Sequence, residues 1–563
     1  MAETSGTIAD LVLVNGKVRT PAHPSGFAQA LAVRGGTIVA VGDDNEIREL
    51  TGQGTRVIDL RGRLALPAFG DAHVHAVAGG LESLRCNLLG LRTRHETLDA
   101  VAAYCAGLAP GAWVLGGGWT MAAFPGGLPT AADLDAVAGG RPAFLPNRDH
   151  HSAWVNAAAL AIARVDAGSQ DPPDGRIERD SRGRPAGTLH DGAMRLVAEH
   201  VPAASTAELT AGLLAAQAHL NSLGITRFQD ACVGAAGELG IPDVFDTYRR
   251  AADDGLLSCQ VVGALWWDRN RGLGQIDDLL ARRERAAAGP FRATTVKLML
   301  DGVCETFTAA MSAPYLDGHG HPTRDGGRLF IEPEMLASAV RLLTAEGFQL
   351  HFHAIGDRAV TAALDVLEAL PAGLRRAARH HVAHLQFIRP ADLGRFAALD
   401  VVANFQPLWA CAEPQMDELT LPFVGQERAG WQYPIASLAG RGARLAFGSD
   451  WPISSADPLQ EMHVAVNRVL SSRLGHAGEP AREIPFMPEQ AIALDAALDA
   501  FGSGVAWVNH EENVTGVLVP EMRADVAVFD QDLFVIPATS IGDASVELTI
   551  SGGAVVHGDG GWR

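Results

Sequence analysis

Two histidines that lie two residues apart, His73 and His75, are the clearest chemical feature of this chain. They end an apolar, strand-like run over 64–75 that also contains Asp71. Alternate residues of a strand point to the same face, so both imidazoles can approach one point. Imidazole is a common ligand of divalent metal ions in proteins. The pair therefore predicts part of a metal site whose other ligands must come from elsewhere in the chain.

Four further candidate ligands each lie on, or at the end of, an apolar strand-like segment. They are Lys297 in 295–301, His353 at the end of 349–353, His384 near the end of 381–385, and Asp450 at the end of 444–450. Four imidazoles and a carboxylate would suit Zn²⁺ or a similar divalent ion. A single histidine on a strand is more often a hydrogen-bonded core residue, and an aspartate after a strand is often a helix N-cap. Their shared placement favours one common site.

Short apolar segments alternate with Ala- and Leu-rich helical stretches through the middle of the chain, which is typical of βα repeats and a parallel sheet. The predicted strands are 64–70, 224–230, 259–265, 295–301, 349–353, 381–385, 401–405 and 444–450. Eight such units predict an α/β fold, a (β/α)8 TIM-like barrel. The active sites of such barrels lie at the C-terminal ends of the strands. The candidate ligands would then converge on one mouth.

Both ends of the chain are rich in short strands, and we predict that they form one small β-sandwich domain from 1–63 and 508–563. The metal-binding barrel would comprise 64–84 and 206–507, including a Gly-, Pro- and charge-rich linker at about 471–487. Residues 85–205 are too many for one connecting helix. They are predicted to form an insertion, or lid subdomain, over the barrel mouth.

Composition narrows the class of protein. The net charge of 45 − 65 = −20 argues against nucleic acid or an anionic membrane as a partner. The six scattered cysteines are expected to be reduced and mostly buried. Neither a signal-peptide pattern nor an apolar run of roughly 18 residues is seen, so we expect a cytoplasmic protein. Its partner would be a small-molecule substrate, with a homodimer as a possible assembly.

Several segments together resemble the amidohydrolase superfamily, and more narrowly amidohydrolase family 3, which includes N-substituted formamide deformylases. The resemblance covers nearly the whole chain and is more specific for fold and metal chemistry than for substrate. It rests on the segments 67–75, 149–156, 296–302, 353–359, 447–452 and 516–530.

The resemblance implies a role for each candidate ligand. His73, His75 and Asp450 would bind a first metal ion, and His353 and His384 a second. Lys297 matches a lysine that CO₂ converts to a metal-bridging carbamate. The implied cofactors are thus two divalent ions, with Zn²⁺ expected, and a carboxylated lysine.

The implied reaction is hydrolysis of a C–N amide bond in an N-formyl or N-acyl substrate. Asp450 would act as general base towards a metal-activated water and then as general acid. Two alternatives stay open: a single-metal deaminase or cyclic-amide hydrolase of the same superfamily, and a catalytically silent binding protein on this fold.

Other residues have weaker predictions. His151, in the insertion motif, is predicted either to reach the substrate carbonyl or to hold the lid. Ordinary packing is the alternative for each candidate pocket aromatic, namely Trp119, Phe124, Trp154, Trp409 and Trp451. Supporting roles are considered for Asp230, Asp357 and Arg358. The chain departs from the family's usual residues at Ala383, His150, Asp191 and 303–305, which weakens any transfer of substrate identity.

Overall fold

A computed structural model describes residues 8–235, 242–474, 484–558 and 562. Most of the predicted linker, residues 475–483, lies outside this described part of the chain. The described residues form three bodies of secondary structure: a parallel barrel, a β-sandwich from both chain ends, and an inserted mixed sheet.

The predicted (β/α)8 barrel is confirmed. Its eight strands follow one another around the sheet in chain order, and the neighbouring strands pair in parallel. Barrel strands one to eight are Phe69–Val74, Ile225–Val233, Gln260–Trp266, Phe291–Met299, Gln349–Ala354, His381–His384, Val402–Phe405 and Leu445–Phe447. Their C-terminal ends share one rim, which is where the candidate ligands were predicted to meet.

The structure divides the predicted first strand, 64–70, into two. Leu64–Pro67 pairs antiparallel with Val526–Phe529 and parallel with Lys17–Arg19, so it belongs to the sheet built from the chain ends. The barrel strand begins two residues later, at Phe69. The whole run is apolar and buried, and periodicity cannot locate the point where such a run passes from one sheet to another.

Helices surround the barrel. They are Ala76–Leu84, Thr206–Ser222, Phe245–Asp253, Ile276–Arg285, Pro333–Ala345, Asp357–Glu368, Ala372–Ala378, Arg395–Ala398, Leu421–Val424, Gln426–Ala429, Ile435–Ala439 and Pro458–Asn467. Local sequence explains some of their boundaries. The Ser205 hydroxyl accepts a hydrogen bond from the Glu208 backbone N–H, and the Glu208 carboxylate accepts one from the Ser205 backbone N–H, a capping box that starts Thr206–Ser222.

The predicted β-sandwich from both termini is also confirmed. One sheet has the order Thr37–Gly42, Ala30–Arg34, Leu11–Val14, Arg56–Asp59, and the helix Asp44–Arg48 lies beside it. The other has the order Ala554–His557, Val546–Ser551, Val526–Phe529, Leu64–Pro67, Lys17–Arg19, Phe27–Ala28. Residues of both sheets, among them Leu13, Ile38 and Val528, pack into a single buried core. Because these segments come from distant parts of the sequence, the two chain ends hold each other in place.

The insertion after barrel strand one contains a mixed sheet. Its order is Gly175–Arg179, Pro185–Asp191, Ser152–Val155, Ala143–Pro146, Val114–Gly117, Cys86–Asn87. Its helices are Arg94–Ala106, Ala131–Val137, Ala157–Ala163 and Arg195–Ala198.

The N-terminal end of the barrel is closed by the helices Leu494–Phe501 and Ser503–Val508. From the second of these, Val505 and Val508 pack against Ala72 and Val402, which lie on barrel strands. All six cysteines are buried. Within the described residues, no helix combines the length and apolar character needed to span a membrane.

Candidate metal centre

Barrel strand one is joined to the loop after strand eight at the rim. The Asp450 backbone N–H donates to the His73 carbonyl at 2.7 Å, and the His75 N–H donates to the Trp451 carbonyl at 2.8 Å. His73 lies in strand one, whereas His75 directly precedes the helix Ala76–Leu84. Asp450 has left-handed backbone, with φ +57°. These links place Asp450 Oδ1 3.1 Å from Nε2 of both His73 and His75.

Asp71 supports this junction from below. Its carboxylate accepts hydrogen bonds from the His73 N–H at 2.9 Å, from the Ser449 N–H at 3.1 Å and from the Ser449 hydroxyl at 2.5 Å. Complete burial raises the pKa of Asp71 to about 7. The neighbouring Gly448 leaves room for this contact, because a Cβ there would lie 2.5 Å from the His73 nitrogen. Asp71 therefore fixes the loop that carries Asp450 against strand one.

Strands five and six supply the other two predicted histidines. Their rings meet edge to face, with centroids 4.4 Å apart. His384 lies three residues after the inward-facing His381, so a regular strand would turn it to the opposite face. A left-handed backbone at His384, φ +74°, instead directs the ring into the mouth, where Nδ1 is 3.9 Å from Asp450 Oδ2. Such backbone is costly for a residue other than glycine and is concentrated at functional sites.

Lys297 lies on strand four, in the layer beneath these rings. Its Nζ is 3.4 Å from Nε2 of His351, a histidine that sequence reasoning missed. Burial lowers the pKa of Lys297 to about 8. His351 is two residues before His353, so the period of two along a strand was the signal that would have found it.

The donor set fits a divalent ion. Ligand atoms of His73, His384 and Asp450 all lie within 4.8 Å of one another. Ligands bound tetrahedrally to one zinc ion lie roughly 3.3–3.5 Å apart, close to the separations around Asp450 Oδ1. His75 Nδ1 is a buried nitrogen for which the described residues provide no hydrogen-bond partner. Burial also holds the pKa of His73 and His384 well below its usual range, which leaves lone pairs available for a metal.

A narrow cavity opens onto this centre. His353, His384 and Asp450 form one side of it; the other lining residues include Asp149, His151, Glu305, Trp409 and Tyr433. The insertion thus contributes directly to the wall through Asp149 and His151.

His151 is oriented by a buried carboxylate. Its Nδ1 is 2.6 Å from Asp191 Oδ1, and its ring centroid is 5.6 Å from that of His353. Burial opposes protonation, but the hydrogen bond and charge of Asp191 outweigh it and raise the pKa of His151. His151 can therefore present a proton on Nε2 to a molecule in the cavity.

The structure separates the predicted pocket aromatics. Trp119 and Trp154 lie in the core of the insertion, where their indole N–H groups donate to the carbonyls of Leu145 and Thr130 at 2.8 and 2.7 Å. Phe124 packs edge-on against both indoles and lines a separate outer cavity. Trp451 packs beside His219. Among these aromatic candidates, Trp409 lies on the wall of the inner cavity.

The predicted supporting residues each form a hydrogen bond with another segment of the barrel domain. Asp230 accepts a hydrogen bond from the Tyr248 hydroxyl at 2.5 Å, Asp357 accepts one from the Ser312 N–H at 3.0 Å, and Arg358 donates to the Gly327 carbonyl at 3.1 Å. Sequence reasoning missed Asp301, although it lies in a quoted motif. Its carboxylate accepts the backbone N–H groups of Ala310, Ile355 and Gly356 and lies 3.8 Å from His353 Nε2.

Known proteins of the same family and fold are similar to this chain over most of its length. A protein named LONG AFTER FAR-RED 3 from Arabidopsis thaliana is 30% identical, over 93% of this chain and 88% of that protein. N-substituted formamide deformylase from Arthrobacter pascens is 28% identical, over 93% of this chain and 94% of that enzyme. The crystal structure of an uncharacterized metal-dependent hydrolase from Pyrococcus furiosus matches with a TM-score of 0.68 and 25% identity, covering 93% of this chain and 99% of that one.

The family model for the amidohydrolase family matches residues 56–557, which include the whole barrel and each candidate ligand. The chain belongs to the amidohydrolase family and is a metal-dependent hydrolase.

Proposed function

We propose that this enzyme hydrolyses the C–N bond of an N-formyl or N-acyl amide, giving a carboxylate and an amine. The observation that carries the proposal is the approach of His73 and His75 to one oxygen of Asp450, at 3.1 Å each, where a cavity reaches the barrel mouth. Similarity to an N-substituted formamide deformylase over most of the chain supports the substrate class.

In this proposal, His73, His75 and Asp450 hold one divalent ion, and His353 and His384 hold a second, with Zn²⁺ as the expected metal. When bound, such an ion supplies Lewis-acid chemistry: it lowers the pKa of a water molecule towards roughly 7 and polarises a carbonyl. The position of His384, whose Nδ1 is 3.9 Å from Asp450 and whose ring meets that of His353 edge to face, supports two adjacent sites.

Lys297 is proposed to be carboxylated. The unprotonated amine adds to CO₂ and releases one proton, which leaves a carbamate anion that suits a bridge between two cations. The lowered pKa of about 8 makes the unprotonated amine accessible near neutral pH, which supports the modification.

The side chains around the cavity then move the protons. Asp450 accepts a proton from the attacking water and passes it to the departing nitrogen, as general base and then general acid. His151, held by Asp191 at 2.6 Å, donates a hydrogen bond from Nε2 to the carbonyl oxygen of the substrate as negative charge develops there.

One observation favours a second candidate, a single-metal deaminase or cyclic-amide hydrolase. Within the described residues, the group with ligand atoms all within 4.8 Å is His73, His384 and Asp450, and it does not include Lys297. The Lys297 amine instead contacts His351. An unmodified Lys297 in that place would leave one ion without a bridge.

Metal analysis separates the two candidates. Protein purified and loaded with Zn²⁺ should contain two ions per chain, and Lys297→Ala should lose one of them. One ion in both proteins would favour the single-metal candidate.

A screen of the loaded enzyme over N-formyl amines, N-acyl amino acids and cyclic amides tests the substrate class. We expect turnover in the first two classes. Turnover of cyclic amides alone would overturn the proposed substrate class.

Asp450→Asn tests the acid–base role. We expect the fold and most of the bound metal, measured by metal analysis, to be kept while kcat falls by about 10²–10⁴. Asp457→Asn is the matched control, because Asp457 caps the helix Pro458–Asn467 in the same region and asparagine caps equally well. Near wild-type turnover in Asp450→Asn would refute the assignment.

A further inference from the structure

A row of buried polar side chains lies beneath His73 in the barrel interior, and the proposed reaction does not use it. We call this row the histidine relay; its members are Gln229, Gln349, His351, His381 and Asn404. Their hydrogen bonds fix which atoms carry protons, because two members, Gln349 and Asn404, donate to backbone carbonyls, which only accept.

The first anchor is Gln349. Its Nε2 is 2.9 Å from the Arg379 carbonyl and 2.7 Å from the Val508 carbonyl, so this atom must be the amide nitrogen. Its Oε1 therefore faces Gln229, whose nearer atom at 3.1 Å must be Nε2. The Gln229 Oε1 then points the other way, towards His351 and His381.

Both of these histidines must donate to that oxygen. The Gln229 Oε1 lies 2.7 Å from His351 Nδ1 and 3.0 Å from His381 Nε2. A second anchor agrees with this result. Asn404 Nδ2 lies 3.0 Å from the Ala72 carbonyl and is thus a nitrogen, and it also donates to His381 Nδ1 at 3.1 Å. His381 therefore carries its proton on Nε2, as the Gln229 contact requires.

The relay ends at His73. His351 carries a proton on Nδ1, and its Nε2 lies 3.0 Å from His73 Nδ1. A neutral imidazole that carries its proton on Nδ1 has a lone pair on Nε2, so His351 Nε2 is an acceptor. His73 Nδ1 must then be the donor.

We propose that the histidine relay holds His73 with its proton on Nδ1, so that Nε2 is the one ring nitrogen free to bind a metal ion. This inference rests on the proposed metal site, of which His73 is a ligand. Nδ1 donates to His351 whether His73 is neutral or an imidazolium, but the Nε2 lone pair that a metal ion needs exists only in the neutral ring. Gln229, His351 and His381 are positioning residues: they act through His73, fixing its ring and its tautomer as hydrogen-bonded partners of metal-binding histidines do.

The test is the affinity for Zn²⁺, measured by competition with a chelator at fixed pH. His351→Leu removes the acceptor, and we expect binding about 10–100-fold weaker than in the wild type. His351→Gln keeps an acceptor for His73 and a donor for Gln229, and should retain most of the affinity. The relay is refuted if His351→Leu binds as tightly as the wild type, or if His351→Gln is as weak as His351→Leu. A wild-type chain that binds no Zn²⁺ would overturn the metal site itself and the relay with it.

A second pair of variants separates positioning from general stability. Gln229→Leu removes a partner that is separated from His73 by two hydrogen bonds, through His351, and should also weaken Zn²⁺ binding. Gln275→Leu is its control, since Gln275 is equally buried and makes three hydrogen bonds, all to the backbone of Asp268 and Gly272. Equal Zn²⁺ affinities in the two variants would contradict the relay.

Nitrogen-15 NMR of the metal-free, histidine-labelled wild-type protein reads the tautomer directly. We expect a protonated Nδ1 at His73. A bare Nδ1 with a protonated Nε2 would overturn the proposal, whether or not the leucine variants fold.

Discussion

Replacing Glu305 with glutamine should make the stability of the folded protein less dependent on pH. Glu305 lines the inner cavity, and its carboxylate accepts a hydrogen bond from the Thr420 hydroxyl at 2.9 Å. Burial, with a contribution from the nearby charge of Asp149, raises the pKa of Glu305 from 4.5 to about 7. The folded chain therefore keeps this proton to a higher pH than the unfolded chain does.

The sign and the size of the effect follow from this difference. Because the folded-state pKa is raised, the stabilisation is fully present below pH 4.5 and is lost as the pH rises to about 7. At 1.36 kcal/mol per pH unit, the full difference corresponds to roughly 3.4 kcal/mol. Glu305 is only partly buried, and solvent screening reduces this value, so we expect about 1–3 kcal/mol.

Urea unfolding of both proteins at about pH 4.5 and about pH 8 measures the effect. Glutamine has the shape of a protonated glutamate, so Glu305→Gln and the wild type should be about equally stable at the lower pH. At the higher pH the variant should be more stable by the amount above. Glu418→Gln removes the same charge from an exposed neighbour and is the control. A stability difference that is the same at both pH values would refute the reasoning.

Three further predictions concern the lid, the packing and the metal. Asp191→Asn should lower kcat about 10–100-fold and move the alkaline limb of the pH profile to lower pH. Asp191 raises the pKa of His151, and activity is lost as the His151 imidazolium deprotonates. An alkaline limb at the wild-type pH would contradict this. Gly80→Ala should destabilise the protein by about 1–3 kcal/mol in thermal unfolding, because the added Cβ would lie 1.9 Å from the Gly212 carbonyl oxygen. Gly107→Ala is the control, since the nearest atom to its Cβ is 3.7 Å away. Equal thermal midpoints for the two variants would count against the packing argument. Chelation should lower the thermal midpoint and added Zn²⁺ should restore it; no change on chelation would argue against a bound ion.

Much of the site could be predicted because strand ends are local features of a sequence. Lys297, His353 and His384 each lie in a short apolar segment, and the parallel barrel brings such segments to one rim. The first strand was misplaced because 64–74 is one apolar run. The change from the sandwich to the barrel at 68 depends on pairing with Val526–Phe529, more than 450 residues away in sequence.

The candidate pocket aromatics show what local reasoning leaves open, since either packing or cavity lining was expected for each. Trp119 and Trp154 are large apolar residues near a catalytic motif, yet they form the core of the insertion, because a sheet of this size needs its own buried side chains. Glu305 and Tyr433 were not predicted as cavity residues, but they line the cavity with Trp409. Nothing in their immediate sequence shows which element they face.

Histidines, a lysine and an aspartate at the strand ends of a βα repeat are enough to predict the kind of chemistry. How these groups approach one another depends on contacts between distant segments. The backbone at His384 turns left-handed, the strand-eight loop is tied to strand one through Asp71, and the histidine relay is built from Gln229, His351 and Asn404, which lie far apart in sequence. The physical reason is that hydrogen-bond donors and acceptors buried in the barrel must satisfy each other, and only the closed barrel determines which of them meet.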